Sequence, residues 1–320
     1  MTGMNSPATQ NGGTRKLCFC IVLYNSAAAE SESVNSLIAN FAPLSGYDVA
    51  VYLHNNGPHP VSFEAGFPEF VKVFTKERLD NTSLSFAYNS AINEVRAEYT
   101  CILDQDTELT PDYISAVKDL IESGGDMLLP LVYAEDVIRF PYVYGESGKN
   151  RLIDKETVIE SSSFPRTIGS GVVISSRISG LVARKFGSVF DERFHIYKCD
   201  TAFFYRVNAL ENFKVMVRGR INQAFASHGP ESNSAKFFRK SNAAGGWALQ
   251  EKFYMHASPA VFVLKAVNRF LINGFKFRLF CVAVGTYFRG RAGAPVAQSV
   301  MQDASGAFTK TCKNAATVNG

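Results

Sequence analysis

Asp104 and Asp106 are the residues whose types and spacing speak first of chemistry. They stand two apart in Leu103-Asp104-Gln105-Asp106-Thr107, after the apolar run Tyr99-Thr100-Cys101-Ile102-Leu103. On a strand, residues i and i+2 point to one face, so both acids converge where a buried strand leaves its sheet. Open α/β sheets bind ligands at that carboxyl edge. Two hard oxygen ligands there suit Mg²⁺ or Mn²⁺, with a diphosphate completing the coordination. A polar strand-to-turn junction would carry the same residues, because Asp-x-Asp is a common tripeptide.

Other chemistry-bearing residues follow in order. Asp200, in Tyr197-Lys198-Cys199-Asp200-Thr201, could serve as a general base or as a helix-surface acid paired with Lys198 or Arg206; Asp191 and Glu192 compete for the base role. Arg206 could bind phosphates or form an ion pair with Glu211 or Asp200. His228, before Gly229-Pro230, could join the two acids at a metal or cap a strand. Asn25 ends the first apolar run, where it touches a nucleotide or makes a turn. Trp247 could stack on a sugar, although a lone Trp in a Phe-rich chain is more often core.

The elements that must position these residues alternate. Lys16–Tyr24 reads as a buried strand, residues 30–41 as a helix, and Asp48–Leu53 as a strand ended by His54-Asn55-Asn56-Gly57-Pro58. Residues 71–74 form a short strand, residues 84–95 a helix, and residues 99–103 the strand before the acids. Pro111 opens a further helix. This rhythm predicts an α/β protein: a mainly parallel sheet with helices on both faces. Residues 127–145 and 150–175 read as β and loop, with Gly169-Ser170-Gly171 leading into the strand at 172–174. Residues 194–208 read as a helix, and short strands are expected at 216–217 and 224–226.

Composition sets the frame. The 320 residues are 46% hydrophobic and 19% charged, enough for a sizeable core. Six cysteines without a Cys-x-x-Cys pair, three of them in strand-like runs, read as reduced, buried thiols of a cytosolic protein. Residues 1–14 lack the apolar stretch of a secretory signal and are expected to be a disordered tail. Residues 1–235 carry 27 Asp and Glu against 21 Lys and Arg; residues 236–320 carry 2 against 12. A basic segment on an acidic body points to an anionic surface, membrane or nucleic acid. The apolar stretch at 260–289 is interrupted by Lys265, Arg269, Lys276 and Arg278, so it predicts basic interfacial or packed helices rather than a span.

Taken in order, Asn81-x-Ser83-x-x-x-Ala87-x-Asn89-x-Ala91, Asp104-Gln105-Asp106, Gly169-Ser170-Gly171, Phe194 to Asp200, and His228 resemble the family 2 glycosyltransferases, within them the bacterial rhamnosyltransferase type. The resemblance covers roughly residues 16–235. It implies the GT-A fold, a Rossmann-like mixed sheet, with residues 15–235 as catalytic domain and 236–320 as a basic helical region with a disordered end. Asn55-Asn56-Gly57 falls where the family usually has Asp-Asn-Gly, whose Asp contacts the base. Asn81 and Asn89 match the family's Asn-x-Gly…Ala-x-Asn-x-Gly pattern, with Ser83 and Ala91 in place of the glycines. Asp104 and Asp106 match the metal motif, Asp200 the catalytic base and His228 a downstream metal ligand. Asn25, Asn55, Asn81, Asn89, Asp104 and Arg206 are the donor-binding candidates.

The resemblance implies an inverting enzyme that uses Mg²⁺ or Mn²⁺ and a dTDP- or UDP-linked sugar, rhamnose or a hexose. Its expected acceptor is a lipid-linked glycan in O-antigen or capsule synthesis. The expected location is the cytoplasmic face of the bacterial cell membrane, with an anionic lipid surface rather than nucleic acid as partner. Two rivals stand beside it. The departures at Asn55, Ser83 and Ala91 would suit a sugar-nucleotide-binding scaffold that has lost catalysis. A nucleotidyltransferase shares the metal logic, but Asn25-Ser26-Ala27-Ala28-Ala29 lacks the Gly-rich, basic phosphate loop it requires.

Overall fold

A computed structural model describes residues 16–144, 150–224, 232–272 and 276–292. The tail expected at 1–14 and the expected disordered end lie largely or wholly outside the described residues. Strands β1 (Lys16–Leu23), β2 (Asp48–Asn55), β3 (Lys72–Glu77) and β4 (Tyr99–Asp104) run parallel in the spatial order β3-β2-β1-β4. The near-continuous apolar character of β1 follows from cover on both faces. Leu17, Phe19, Ile21 and Leu23 enter one core layer; Cys18, Cys20 and Val22 enter the other. Cys18, Cys20, Cys101 and Cys199 are buried free thiols, and Cys281 is exposed.

The rest of the sheet is mixed. In chain order the strands are β5 (Thr107–Leu109), β6 (Met127–Ala134), β7 (Val137–Phe140), β8 (Tyr142–Tyr144), β9 (Asn150–Leu152), β10 (Thr157–Glu160), β11 (Pro165–Arg166), β12 (Val172–Ser175) and β13 (Lys214–Gln223). β12 joins β4 antiparallel, and β6, β13 and β10 continue outward from it. β5 pairs with β13 and β7 with β6, while β11-β8-β9 form a small second sheet.

Helices α1 (Glu32–Ala39) and α3 (Pro111–Ser123) cover one face of the large sheet. α2 (Leu84–Val95), α4 (Ser176–Phe186) and α5 (Cys199–Asn208) cover the other. Side-chain caps start most of them: Ser31, Ser83, Thr110 and Ser175 each accept the N–H three residues on.

Three expectations change. α5 begins at Cys199 rather than 194, because Lys198 adopts φ +72° and breaks the helical path. α4 was not anticipated, although Ser175 caps it and Gly187 ends it at φ +84°. The short strand expected at 216–217 is part of one ten-residue strand, β13, and most of the one expected at 224–226 lies outside the described residues. Arg218 and Arg220 sit at the outward positions of its alternating burial.

α6 (Asn233–Phe253), α7 (Pro259–Val267), a π-helical segment (Asn268–Ile272) and α8 (Phe277–Arg289) follow. They share a core of Ala244, Ala248, Phe262, Ala266, Phe270, Leu279, Ala283 and Tyr287. Trp247 belongs to this core, 5.2 Å from Phe262 and 5.7 Å from Phe270 between ring centroids, so it is not a sugar platform. α6 also seals the body: Leu249 packs with Phe194, Cys199 and Ala202. No helix of the described residues is long and apolar enough to cross a membrane.

Candidate active site

The strand order turns between β1 and β4, whose chains lead away to opposite sides, and open α/β sheets bind ligands in the crevice at the carboxyl edge of such a turning point. Register makes the edge level: Val22 pairs with Asp104 and Leu23 with Asn55. Three loops meet beside it. The Asn25 N–H donates to Gly57 O at 2.8 Å, and Asn56 Nδ2 donates to Asn81 Oδ1 at 3.2 Å and Thr82 O at 2.9 Å. Asn55 is fully buried and closes its own turn, accepting from the Gly57 N–H and donating to His59 O and Glu77. Asn25 and Asn81 hold φ of +51° and +47°, a region Asn tolerates better than most residues. The fold therefore brings Asn25, Asn55 and Asn81 together.

Asp104 and Asp106 leave β4 inside a dense clamp. Ser33 at the start of α1 donates to Asp104 O and, at 2.9 Å, to Thr107 O, and its hydroxyl accepts the Thr107 N–H. Gln105 turns back to bond both the N–H and the carbonyl of Tyr24. Ser170 accepts the Asp104 N–H at 3.0 Å and shares a 2.6 Å bond with Thr107 Oγ1. Gln223, the last residue of β13, accepts from Thr107 Oγ1 and donates to Asp106 Oδ1 at 2.8 Å. Tyr88 Oη on α2 donates to Asp104 Oδ1 at 3.2 Å. Gly171 makes the path possible: it sits at φ +81°, and a Cβ there would lie 2.7 Å from Pro130 Cγ.

Asp200 stands in the first turn of α5, its Oδ1 accepting the Thr201 N–H at 2.6 Å. It approaches the Asp pair across Gly169: a Cβ on Gly169 would lie 3.9 Å from both Asp200 Cβ and Tyr88 Oη. Burial and the charges of Asp106 and Asp200 push Asp104 up to about 7, against the Tyr88 hydrogen bond. Burial raises Asp106 against Gln223, and burial raises Asp200 against the Thr201 N–H and Lys198. A divalent cation would relieve such a cluster, and the hard oxygens of Asp104 and Asp106 fit Mg²⁺ or Mn²⁺. Among the described residues no group of three or more His, Cys, Asp or Glu encloses a metal, so further ligands would come from a diphosphate or from outside that set. His228, expected as such a ligand, lies outside the described residues.

Two candidates go elsewhere. Asn89, expected at the donor, points away from the crevice, donating to Phe190 O and Glu192 and accepting the Phe190 N–H. It pins α2 to the loop before α5. Arg206, expected at the phosphates or against Glu211 or Asp200, is buried against Asp191 at 3.1 Å, with Tyr254 Oη and Ser188 O as further partners. Asp191 is itself engaged: burial pushes its carboxyl up, but Arg193, Arg206 and Tyr254 outweigh burial and hold it low. That leaves Asp200 as the acid facing the Asp pair. Tyr88, Ser170 and Gln223 carried no role in the sequence reading. Ser170 alone had a signal, between two glycines.

Comparison with known proteins agrees with this fold. Residues 18–178 match the sequence profile "Glycosyl transferase family 2". No curated protein matches the chain. Among solved structures, S. aureus TarS 1–349 in complex with UDP-GlcNAc aligns at TM-score 0.50 and 11% identity, covering 87% of this chain and 82% of that one. S. aureus TarS aligns at TM-score 0.50 and 13% identity, covering 90% of this chain, which spans 50% of that one.

Proposed function

The chain belongs to glycosyl transferase family 2 and has the GT-A fold, and from that premise we propose that it is an inverting, metal-assisted enzyme. It moves rhamnose or a hexose from a nucleoside diphosphate to a hydroxyl of a glycan. The observation that carries this reading is the approach of Asp200, across Gly169 from Tyr88, to the Asp104 and Asp106 pair at the carboxyl edge.

Asp104 and Asp106 would hold Mg²⁺ or Mn²⁺, which would supply positive charge against the departing diphosphate. Tyr88 and Gln223 keep one oxygen of each acid oriented. Asn25 and Asn81 stand in the loops on which the nucleoside would rest, and the buried Asn55 shapes the turn beside them. Asp200 takes the proton from the acceptor hydroxyl as that oxygen bonds to the anomeric carbon. A carboxylate whose proton affinity burial has raised is the stronger base for that step. A single base acting from the side opposite the leaving group would invert the anomeric carbon through an oxocarbenium-like transition state.

The UDP-GlcNAc complex of TarS makes a UDP-linked sugar the first donor to test, beside dTDP-rhamnose. The acceptor is a glycan on a lipid carrier at the inner face of the bacterial cell membrane, in O-antigen or capsule synthesis. Its support is the family resemblance and the basic C-terminal helices. The test is a thermal-shift screen of nucleotide sugars with and without Mn²⁺, followed by release of the nucleoside diphosphate. Asp200→Asn should cost about 10²–10⁴ in kcat and leave the donor shift intact. Asp106→Ala should abolish the metal-dependent shift. Turnover that survives Asp200→Asn would sink the mechanism.

A further inference from the structure

Helix α7, the π segment and α8 are apolar on two sides. Their inner sides, with Phe262, Phe270 and Tyr287, close over Trp247 and Ala248 of α6. Their outer sides keep large apolar groups in solvent: Leu264 and Ile272 are each 70% exposed, Phe288 57%, Phe277 54% and Val261 46%. Val261, Leu264 and Ile272 fall on one side of α7 and the π segment, with the polar Asn268 between the last two, and Phe277, Cys281 and Phe288 share one face of α8. The Lys276 N–H donates to Phe270 O at 2.7 Å and ties the start of α8 to the π segment. Isolated exposed apolar side chains are ordinary; sets of this kind mark a contact surface.

Charge selects the partner. Residues 252–292 contain seven Lys and Arg and no Asp or Glu. Lys265 turns inward to Glu251 at 2.7 Å, which leaves the outer face of α7 more apolar still. Two copies meeting through this face would set like charge against like charge. An anionic bilayer suits both properties, with apolar side chains at the acyl boundary and Lys and Arg at the headgroups.

We infer that the outer face of α7 and α8 is a peripheral docking surface for an anionic phospholipid bilayer, with Leu264, Ile272, Phe277 and Phe288 entering the acyl boundary. The inference deepens the reading of a membrane-held acceptor, on which it rests, and it assigns the contact to the outer sides of residues 261–272 and 277–289 rather than to the whole basic region.

The test floats the full-length protein with phosphatidylcholine vesicles, with and without phosphatidylglycerol. Wild type should float with the anionic vesicles. A chain carrying Leu264→Ser, Ile272→Ser and Phe288→Ser, with an unchanged melting temperature, should bind about a thousandfold more weakly, since withdrawing each large apolar group costs about tenfold. In a Cys312→Ser chain, an environment-sensitive dye on Cys281 should shift to the blue on vesicle binding. Flotation of the triple variant like wild type, or an unshifted dye on a floating chain, overturns the inference. So does concentration-dependent self-association that the triple variant abolishes while wild type fails to float. The melting shift with UDP-GlcNAc and Mn²⁺ is read in parallel. Its loss with flotation intact counts against the donor reading and leaves the docking face standing.

Discussion

In the proposed mechanism Asp104 and Asp106 make the leaving-group side of the site and Asp200 the acceptor side, and the two are held by different means. Asp104 and Asp106 sit in a loop bonded by Ser33, Thr107, Ser170, Tyr88 and Gln223, side chains drawn from α1, α2, β5, β13 and the loop before β12. Asp200 has one local anchor, the neighbouring Thr201. Its position is set from outside, by the left-handed turn at Lys198 and by α6 pressed against it. A Cβ on Gly246 of α6 would lie 2.7 Å from Tyr197 O and 3.2 Å from Lys198 Cβ. A clamp built before donor arrives is preorganised for the charge it must stabilise. A base carried on a helix start and backed by the C-terminal helices depends instead on how that region packs. The two sides should therefore break separately.

Acid gives the largest expected effect on the donor side. His54 of β2 is fully buried beneath the Asn55–Gly57 turn, with no hydrogen-bond partner for either ring nitrogen among the described residues. Burial, with Lys76 and Arg78 nearby, pushes it down from 6.5 to about 4. The folded chain keeps His54 neutral, whereas the unfolded chain protonates it near its ordinary value. Its contribution is therefore complete above pH 6.5 and is lost as pH falls toward 4. The loss should reach about 3 kcal/mol. A His54→Phe variant should lack that share of the acid dependence in denaturant melts at pH 7 and pH 4. Identical dependence in both proteins would show that His54 is already charged or hydrated in the fold.

On the acceptor side, Gly246→Ala should act at a distance. Backbone cannot yield as a flexible side-chain end can, so the Tyr197–Lys198 peptide and the first turn of α5 must move. Displacing a base by a fraction of an ångström should lower kcat about 10-fold to 100-fold. Donor KM and the UDP-GlcNAc melting shift should hold, because the Asp pair rests on other elements. Equal losses in kcat and donor binding would erase the distinction between the two sides.

The same difference governs how much could be read from sequence. β1, β2, β4, α2 and α3 were legible because their apolar residues fall at the period of one element, and capping residues and Pro111 punctuate them. Asp104 and Asp106 were legible because their spacing is local. β13 was not, since Arg218 and Arg220 broke its apolar run while alternating outward along the strand. The supports of the Asp pair stayed hidden for another reason. Ser170 and Gln223 reach Thr107 and the acids across 63 to 117 residues of chain, and one polar residue does not announce a partner that far away. Arg206 shows the converse. A basic residue near the base could plausibly meet phosphates, yet the fold sets it beside Asp191, which the sequence offered only as a rival base.

Tyr88→Phe is the finest probe of the clamp and the smallest expected effect. Tyr88 is nearly buried, and the substitution keeps its ring in the core beside Phe190, 5.0 Å away between centroids, while removing one hydrogen bond to Asp104 Oδ1. A bond to a charged acceptor is worth about 1.5–3 kcal/mol, and the remaining clamp should retain much of that. Metal-dependent donor affinity should fall about 3-fold to 10-fold, within the penalty of a single imperfect bond. kcat at saturating donor should change less than affinity, because the bond is present before the sugar moves and therefore supports ground and transition states alike. If kcat fell in full and affinity held, the Tyr88 hydroxyl would be acting on the charge that develops during transfer, and the leaving-group side would be completed in the reaction rather than built before it.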